Sequence, residues 1–338
     1  MSTADMLALD APVRDWLRRI DEIVADLPEY RSPDPAAHRR AARILSDLLA
    51  AEFTDPTPAG VEAEELRLAG ADGALRARRF RPAGSSGPLP TMLWLHGGGW
   101  ISGTIDELLN ESTTADRALR SCVQIVSLEY RLAPEYPYPA PVDDAVAALA
   151  DLRARAAELR IDPDRLGIGG NSAGATIAAS AALRERDAGR RLHHQALEVL
   201  PASLRPLGSL SKQRRRASGM DGAEHLAELY RAGAPLAECS PLDALDHRGL
   251  APALILAAEF DPLRDGAVAY ARTLEDAEVP VILRIGAGHV HGSPGLTAWQ
   301  GARDWRDVFV AEVAAAYASE PPHPHPHPHP TTDPRGRR

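Results

Sequence analysis

The chain has 338 residues, of which 44% are apolar and 25% are charged, and its formal net charge is −9. This composition is typical of a globular protein that buries a sizeable core, and the acidic balance argues against nucleic acid as a partner. The first residues carry acidic side chains without an uninterrupted apolar segment, and no apolar run is long enough for a membrane span, so we expect neither a signal peptide nor a membrane anchor.

The first fifty residues predict two amphipathic helices. Apolar side chains recur every three or four positions from Val13 to Leu27, and a second set runs through Ala41, Ile44, Leu48 and Leu49. Asp34 directly before a proline is typical of a helix start.

The pattern changes to strands from about residue 61. The stretches VEAEELRLAG and GALRARRFRPAG, separated by a glycine-containing turn, predict an antiparallel hairpin. Short apolar runs then alternate with helical segments, and these runs are PTMLWLH, CVQIVSLEY, RLGIGGN, APALILAAEF and VPVILRI. This alternation predicts an α/β fold with a mostly parallel sheet that is flanked by helices on both faces.

One motif, GNSAG, suggests a nucleophile. It fits G-x-S-x-G with Ser172 at its centre, between an apolar strand and an alanine-rich helix. An ordinary glycine-rich helix start is the alternative, but the strand-to-helix context favours a serine exposed on a sharp turn. A serine hydroxyl needs a histidine to take its proton and a carboxylate to orient that histidine.

Residues of both types follow the next two predicted strands. Asp261 lies in EFDPLRD directly after one strand, whereas Asp265 is suited to capping the following helix. His289 and His291 both follow the last strand, and chemistry alone leaves the choice between them open.

Three consecutive glycines in HGGGW follow another predicted strand. Such a loop exposes backbone N–H groups that can stabilise the negative oxygen formed when an ester carbonyl is attacked. The donors would be Gly98, Gly99 and Ala173. A phosphate loop does not fit, since neither G-x-x-x-x-G-K-[ST] nor G-x-G-x-x-G occurs here.

Together these motifs resemble the hormone-sensitive-lipase-like family of α/β-hydrolase esterases, which includes arylacetamide-deacetylase-like enzymes. HGGGW, YRLAPEYPYPAPVDD, GNSAG, EFDPLRD and HVHGS appear in the family order between about residues 60 and 315. The resemblance implies an eight-stranded α/β-hydrolase core with a helical cap. Residues 1–55 and an insertion at about 201–248 would form this cap, residues 56–318 would hold the catalytic domain, and 319–338 would be a disordered His-Pro-rich tail.

The resemblance also assigns roles to residues. It selects His291 over His289 as the base, makes His96 an orienting residue for the glycine loop, and makes 130–144 a structural brace. The chain departs from the family pattern at Asn171, Gly266 and Ser293. ALEVLPASL is a weak version of the expected strand and loop, and the basic run at 212–216 reads as a solvated loop.

These expectations combine into a serine carboxylesterase acting on small, short-chain acyl esters, with Ser172, Asp261 and His291 as the catalytic residues. The alternatives are a deacetylase or lactonase acting on a specialised metabolite, or a non-catalytic ligand-binding member of the fold. We expect no cofactor and no metal, and the histidines of the tail lack a fixed ligand geometry. Two widely spaced cysteines indicate a cytoplasmic protein, and the last strand and helix are suited to a homodimer.

Overall fold

Eight strands form one sheet in the order β1-β2-β4-β3-β5-β6-β7-β8. The structure is a computed structural model and describes residues 9–205, 207 and 222–318. The strands are β1 (Val61–Gly70), β2 (Gly73–Pro82), β3 (Leu89–Leu95), β4 (Gln124–Leu128), β5 (Ile161–Asn171), β6 (Gln195–Glu198), β7 (Ala253–Ala258) and β8 (Val281–Gly286). Only the pairings of β2 with β1 and with β4 are antiparallel, so the predicted mostly parallel sheet is confirmed.

Helices connect these strands and precede them. Within the described residues they are α1 (Ala11–Ala25), α2 (Pro35–Phe53), α3 (Leu108–Ser121), α4 (Ala140–Ala154), α5 (Ala156–Leu159), α6 (Ala173–Asp187), α7 (Ala223–Arg231), α8 (Leu236–Cys239), α9 (Arg264–Asp276) and α10 (Gln300–Ala318). None of them is long and apolar enough to cross a membrane.

The N-terminal helices form where the sequence predicts them. The Asp34 carboxylate accepts the backbone N–H groups of Ala36 and Ala37, both at 3.2 Å, which satisfies donors that have no acceptor inside the helix. The predicted apolar face of α2 is wrong in part, because Ile44 and Leu48 are 46% and 45% exposed. The buried positions of α2 are the predicted Ala41 together with Ala37, Leu45 and Ala50.

Helices cover the sheet on both faces. One core cluster packs β3, β5 and β7 against α4, α6 and α9, and its members are aliphatic for the most part. A second cluster places α3 and α10 on the opposite face, around the buried side chains of Trp94 and Phe309. The weak motif ALEVLPASL supplies β6, which has only four residues but pairs on both sides. The sheet is therefore buried along its centre, which fixes the positions of its strand ends.

Candidate active site

Three strand ends meet at one edge of the sheet. Ser172 follows β5, Asp261 follows β7 and His291 follows β8. Because β5 to β8 run parallel, their carboxyl ends lie at the same edge. Ser172 Oγ is 2.8 Å from His291 Nε2, and His291 Nδ1 is 2.7 Å from Asp261 Oδ2. The structure thus brings the three predicted side chains into one continuous hydrogen-bonded relay.

The turn between β5 and α6 holds Ser172 in an unusual backbone conformation. Its φ of 52° and ψ of −124° lie in a region that costs a non-glycine residue about 1–3 kcal/mol. The Ser172 N–H donates to the Glu198 carbonyl oxygen at 2.9 Å, which ties the turn to β6. A Cβ on Gly174 would stand 2.0 Å from the Leu95 carbonyl oxygen, so only glycine lets α6 approach β3 this closely. The hydroxyl consequently lies at the N-terminus of α6, where the helix dipole favours negative charge.

The contacts of Asp261 set the proton positions in the relay. Asp261 is 2% exposed, and its Oδ1 accepts the N–H of Leu263 at 2.8 Å while Oδ2 faces the imidazole. Enclosure of the ring lowers the pKa of His291, but the neighbouring Asp261 carboxylate raises it by more, so the pKa lies above the ordinary 6.5. With Nδ1 donating to Asp261, Nε2 of His291 is free to accept the Ser172 proton.

The two histidines after β8 have different surroundings. His289 is buried between the rings of Trp299 and Trp305, and its Nε2 is 3.0 Å from the Gly301 carbonyl oxygen. Its Nδ1 contacts Ser293 Oγ at 2.8 Å, so this departure from the family pattern ties the turn together. Burial lowers the pKa of His289 to about 4. His289 therefore lies in the core beside α10, and only His291 contacts Ser172.

The start of α9 differs from the prediction. The helix begins at Arg264 with Leu263 at its N-cap, so Asp265 lies inside the first turn and not at the cap. The N–H of Leu263 is instead taken by Asp261. The Asp261 carboxylate thus has two roles: it orients the imidazole and it stabilises the helix start. The sequence had predicted these roles for two different aspartates, Asp261 and Asp265.

The glycine loop lies beside Ser172, and side-chain contacts of Tyr130 and His96 fix its backbone. Tyr130 donates its hydroxyl proton to the His96 carbonyl oxygen at 2.7 Å, and the two rings stack with centroids 4.4 Å apart. His96 Nδ1 is 2.8 Å from the Gly97 carbonyl oxygen, and burial lowers the pKa of His96, which keeps the ring neutral. Both contacts agree with an orienting role for His96.

The loop leaves backbone donors available. Gly98 has a φ of +124°, and a Cβ there would be 2.1 Å from the Ser102 carbonyl oxygen, so the position requires glycine. In the part of the chain that the structure describes, no acceptor takes the N–H of Gly98 or Gly99. Ala173 is the first residue of α6, where an N–H has no acceptor within the helix. Gly98 and Gly99 line one cavity together with Ser172, and Ala173 is the next residue in the chain. Their role as donors to the oxyanion stays a prediction.

Two cavities adjoin Ser172. The larger one, of about 480 Å³, contains His291 and is lined by α1 and α2 through residues that include Trp16, Ile20 and Leu45. The smaller one, of about 50 Å³, lies between Gly99 and the segment around Leu204, and His291 is not among its lining residues. Leu226 of α7 borders both cavities. Of the adjacent α1 side chains Trp16 and Leu17, Trp16 lines the larger cavity, whereas Leu17 packs against a core cluster without lining it.

Polar residues in the wall of the larger cavity were missed by sequence reasoning. Arg117 of α3 and Glu198 at the end of β6 form a buried ion pair at 2.6 Å, and both line this cavity. Glu107, at the start of α3, also lines it, and burial raises the pKa of Glu107 to about 7. A charged residue in a predicted helix, such as Arg117, is normally expected at the surface. The only sequence feature that could have indicated a buried charge was Glu198 inside the apolar stretch QALEVL.

No group of three or more histidine, cysteine, aspartate or glutamate side chains suited to a metal ion occurs among residues 9–205, 207 and 222–318. The basic run at 212–216 and the His-Pro-rich tail at 319–338 lie outside the described residues.

The fold and the relay define the class of this protein as an α/β-hydrolase with a serine nucleophile, that is, a serine hydrolase. A family model described as alpha/beta hydrolase fold matches residues 92–294, and the chain belongs to this family. Within it, the relatives identify the chain as a hormone-sensitive-lipase-like esterase.

Three curated relatives illustrate this similarity. The chain is 36% identical to the carboxylic ester hydrolase LipN of Mycobacterium tuberculosis over 69% of this chain and 64% of LipN. It is 35% identical to the carboxylesterase NlhH of the same species over 68% of this chain and 74% of NlhH. An arylesterase of Saccharolobus solfataricus is 33% identical over 85% of this chain and 94% of its own length.

Solved structures agree. The ester hydrolase EH1AB1 from the metagenome of Lake Arreo has a TM-score of 0.81 and 31% identity over 92% of this chain and 100% of its own. That structure is a complex with a derivative of bipyridine phosphonate.

Proposed function

We propose that this chain is a carboxylesterase that hydrolyses small, short-chain acyl esters through an acyl-enzyme intermediate. The observation that carries the proposal is the relay from Ser172 Oγ to His291 Nε2 at 2.8 Å and from His291 Nδ1 to Asp261 Oδ2 at 2.7 Å, beside the glycine loop. Only small-molecule esters are required as partners.

In the first half-reaction Ser172 Oγ attacks the ester carbonyl carbon while His291 Nε2 takes the hydroxyl proton. Negative charge develops on the carbonyl oxygen and is stabilised by the N–H groups of Gly98, Gly99 and Ala173. The C–O bond to the alcohol then breaks, and His291 returns the proton to the leaving alcohol oxygen. Asp261 stays ionised and stabilises the imidazolium.

In the second half-reaction water attacks the acyl-enzyme carbonyl carbon. His291 now takes a proton from the water and afterwards gives it to Ser172 Oγ as the acid departs. The serine is restored, and the net reaction consumes one ester and one water and yields one acid and one alcohol.

The alcohol part and the acyl part of the ester occupy different cavities. The leaving oxygen must reach His291 Nε2, so the alcohol part occupies the larger cavity, which His291 lines. The acyl part then lies in the smaller cavity of about 50 Å³. A water-sized group needs about 10–15 Å³ of such space, so roughly four heavy atoms fit, which favours short acyl chains.

The test compares p-nitrophenyl esters from acetate to decanoate in the wild type, Ser172→Ala and Ser180→Ala. Ser180 lies two turns further along α6 and is buried away from both cavities, so it is a matched control for loss of a hydroxyl. We expect Ser172→Ala to lower kcat by about 10⁴-fold or more, with wild-type activity highest at short chains. Comparable turnover in folded Ser172→Ala would refute the mechanism.

We also propose a cytoplasmic location and a homodimer. Cys122 and Cys239 are both free thiols, which supports a reducing compartment. β8 is an edge strand on which Ile282 and Ile285 are 38% and 48% exposed, and a second copy would cover it. Cell fractionation tests the first proposal, and a monomer mass by light scattering at micromolar concentration would refute the second.

A further inference from the structure

A charged pair lies in the wall of the larger cavity, close to the nucleophile. Arg117 and Glu198 are 6% and 2% exposed, and their side chains meet at 2.6 Å. The backbone carbonyl oxygen of Glu198 accepts the N–H of Ser172, so the Arg117–Glu198 ion pair is directly attached to the turn that carries the reacting hydroxyl. The relay and the glycine loop do not use either side chain.

The guanidinium of Arg117 has unused hydrogen-bond donors. An arginine carries five N–H donors, and here Nη2 donates to Glu198 Oε2. Neither Nε nor Nη1 has an acceptor among the described residues; Nε is fully enclosed, so Nη1 is the donor that a ligand in the cavity can reach. The rings of Trp94 and Phe309 lie 4.6 and 4.4 Å from the guanidinium carbon, so the group is fixed against rotation toward other acceptors.

Glu198, by contrast, accepts a hydrogen bond at each of its two carboxylate oxygens. Oε2 accepts from Arg117, and Oε1 accepts the indole N–H of Trp305 at 2.7 Å. Arg117 therefore offers a donor in the cavity wall that an acceptor of the ligand can take. Since Glu198 already neutralises the charge of Arg117, a second anion would be buried without a counter-charge. A neutral oxygen fits this position better.

We propose that Arg117 is a specificity-determining residue, which selects esters whose alcohol part carries a neutral oxygen acceptor such as an ether, carbonyl or hydroxyl oxygen. This inference rests on the proposed function, because it assigns the alcohol to the cavity that contains His291. It defines the substrates as oxygenated alkyl or related esters in preference to plain alkyl esters.

A purely structural role is the competing explanation. In that case the pair would only tie α3 to β6, and substrates with and without the oxygen would react equally well. The two explanations predict different ratios of kcat/KM between an ester with the additional oxygen and a matched ester without it. Differences in folding yield and in active enzyme concentration cancel in this ratio.

The experiment uses four acetate esters of equal chain length. Hexyl acetate is compared with 2-propoxyethyl, 3-ethoxypropyl and 4-methoxybutyl acetate, which replace one methylene by oxygen at successive positions. We expect kcat/KM of the wild type to be about 10-fold higher for the best-placed ether than for hexyl acetate, as for a hydrogen bond to a charged donor. Equal or lower values for all three ethers would overturn the proposal.

Variants assign the preference to Arg117. Arg117→Met leaves the Glu198 carboxylate without its counter-charge, so the double variant Arg117→Met/Glu198→Gln is tested beside it. Glutamine at 198 removes the charge and still offers an acceptor to Trp305. Both are expected to lower the ether-to-hexyl ratio to about one. Arg120→Met is the matched control, because Arg120 lies on the same helix in surface ion pairs, and it keeps the wild-type ratio. A wild-type ratio in the double variant would also overturn the proposal.

Binding to Ser172→Ala separates this inference from the proposed function. The four esters are titrated by calorimetry into this variant, in which turnover does not interfere. A Kd about 10-fold lower for the best ether supports the role of Arg117 even if the wild type hydrolyses none of the esters, an outcome that would refute the proposed function alone. Equal Kd values for ether and hexyl esters would refute the inference while leaving esterase activity intact.

Discussion

Asp261 controls the charge state of His291, and the geometry of this pair leads to a prediction about pH. The carboxylate raises the pKa of His291 above 6.5, and only the neutral imidazole can take the Ser172 proton. Activity is therefore lost as the pH falls through the pKa of His291. We expect kcat/KM of the wild type to show an acid limb with a midpoint above pH 6.5.

Asp261→Asn tests this prediction. The amide removes the negative charge and favours the wrong imidazole tautomer, so we expect kcat to fall by about 10⁴-fold and the acid limb to move to lower pH. Asp265→Asn, a few residues along the chain and outside the relay, is the control. An acid limb at the same pH in Asp261→Asn would show that another group titrates.

The individual residues of the relay were predictable because each follows an apolar strand in a short, recognisable motif. The choice of His291 over His289 was not available from chemistry alone, since both lie in one loop, and it depended on the resemblance to a family. Arg117 was missed for a physical reason: its burial depends on Trp94, Phe309 and Glu198, which are distant in the sequence.

At the scale of elements, α7 places one side chain between the two cavities. Leu226 borders both, and one of its methyl groups lies against Gly99 of the glycine loop. Leu226→Ala removes three carbon atoms from this boundary and enlarges the smaller cavity. We expect the preferred acyl chain to lengthen by about two carbons, as measured on the p-nitrophenyl ester series.

A matched control supports this interpretation. Leu236→Ala makes the same truncation on α8, whose side chain packs against the core and lines neither cavity. It is expected to leave the chain-length profile of the wild type unchanged. An unchanged profile in Leu226→Ala would place the acyl group elsewhere.

Elements with strong periodicity were predicted well, whereas short or ambiguous ones were not. The hairpin of β1 and β2 and the apolar central strands have clear patterns. The four residues of β6 have too little pattern of their own, and they form a strand because β5 and β7 pair with them on both sides. In α2, Ala41, Ile44 and Leu48 fit a helical spacing, but of these only Ala41 is buried, and the core takes Leu45 in place of Ile44 and Leu48.

At the scale of the whole molecule, the turn after β8 links the active site to the stability of the fold. His291 projects toward Ser172, while His289, two residues earlier, anchors the same turn to α10. The backbone that positions the imidazole of the relay is thus held by a buried neutral histidine. Protonation of His289 would place an unpaired charge in this part of the core.

This arrangement predicts a pH-dependent free energy of unfolding. His289 has a pKa of about 4 in the fold and an ordinary value of 6.5 when unfolded. The unfolded chain therefore binds more protons between pH 6.5 and 4, and stability falls as the pH is lowered through this window. Between pH 7 and pH 5 the contribution of His289 is about 2 kcal/mol.

The measurement is urea unfolding at pH 7 and pH 5 for the wild type and His289→Gln, which keeps hydrogen-bonding groups but does not titrate. Glu107, whose pKa of about 7 is raised by burial, acts in the opposite direction because the folded protein then binds the extra proton. This opposing contribution is common to both proteins and cancels in the comparison. We expect the wild type to lose about 2 kcal/mol more than the variant. An equal loss in both would mean that His289 is not buried as a neutral anchor.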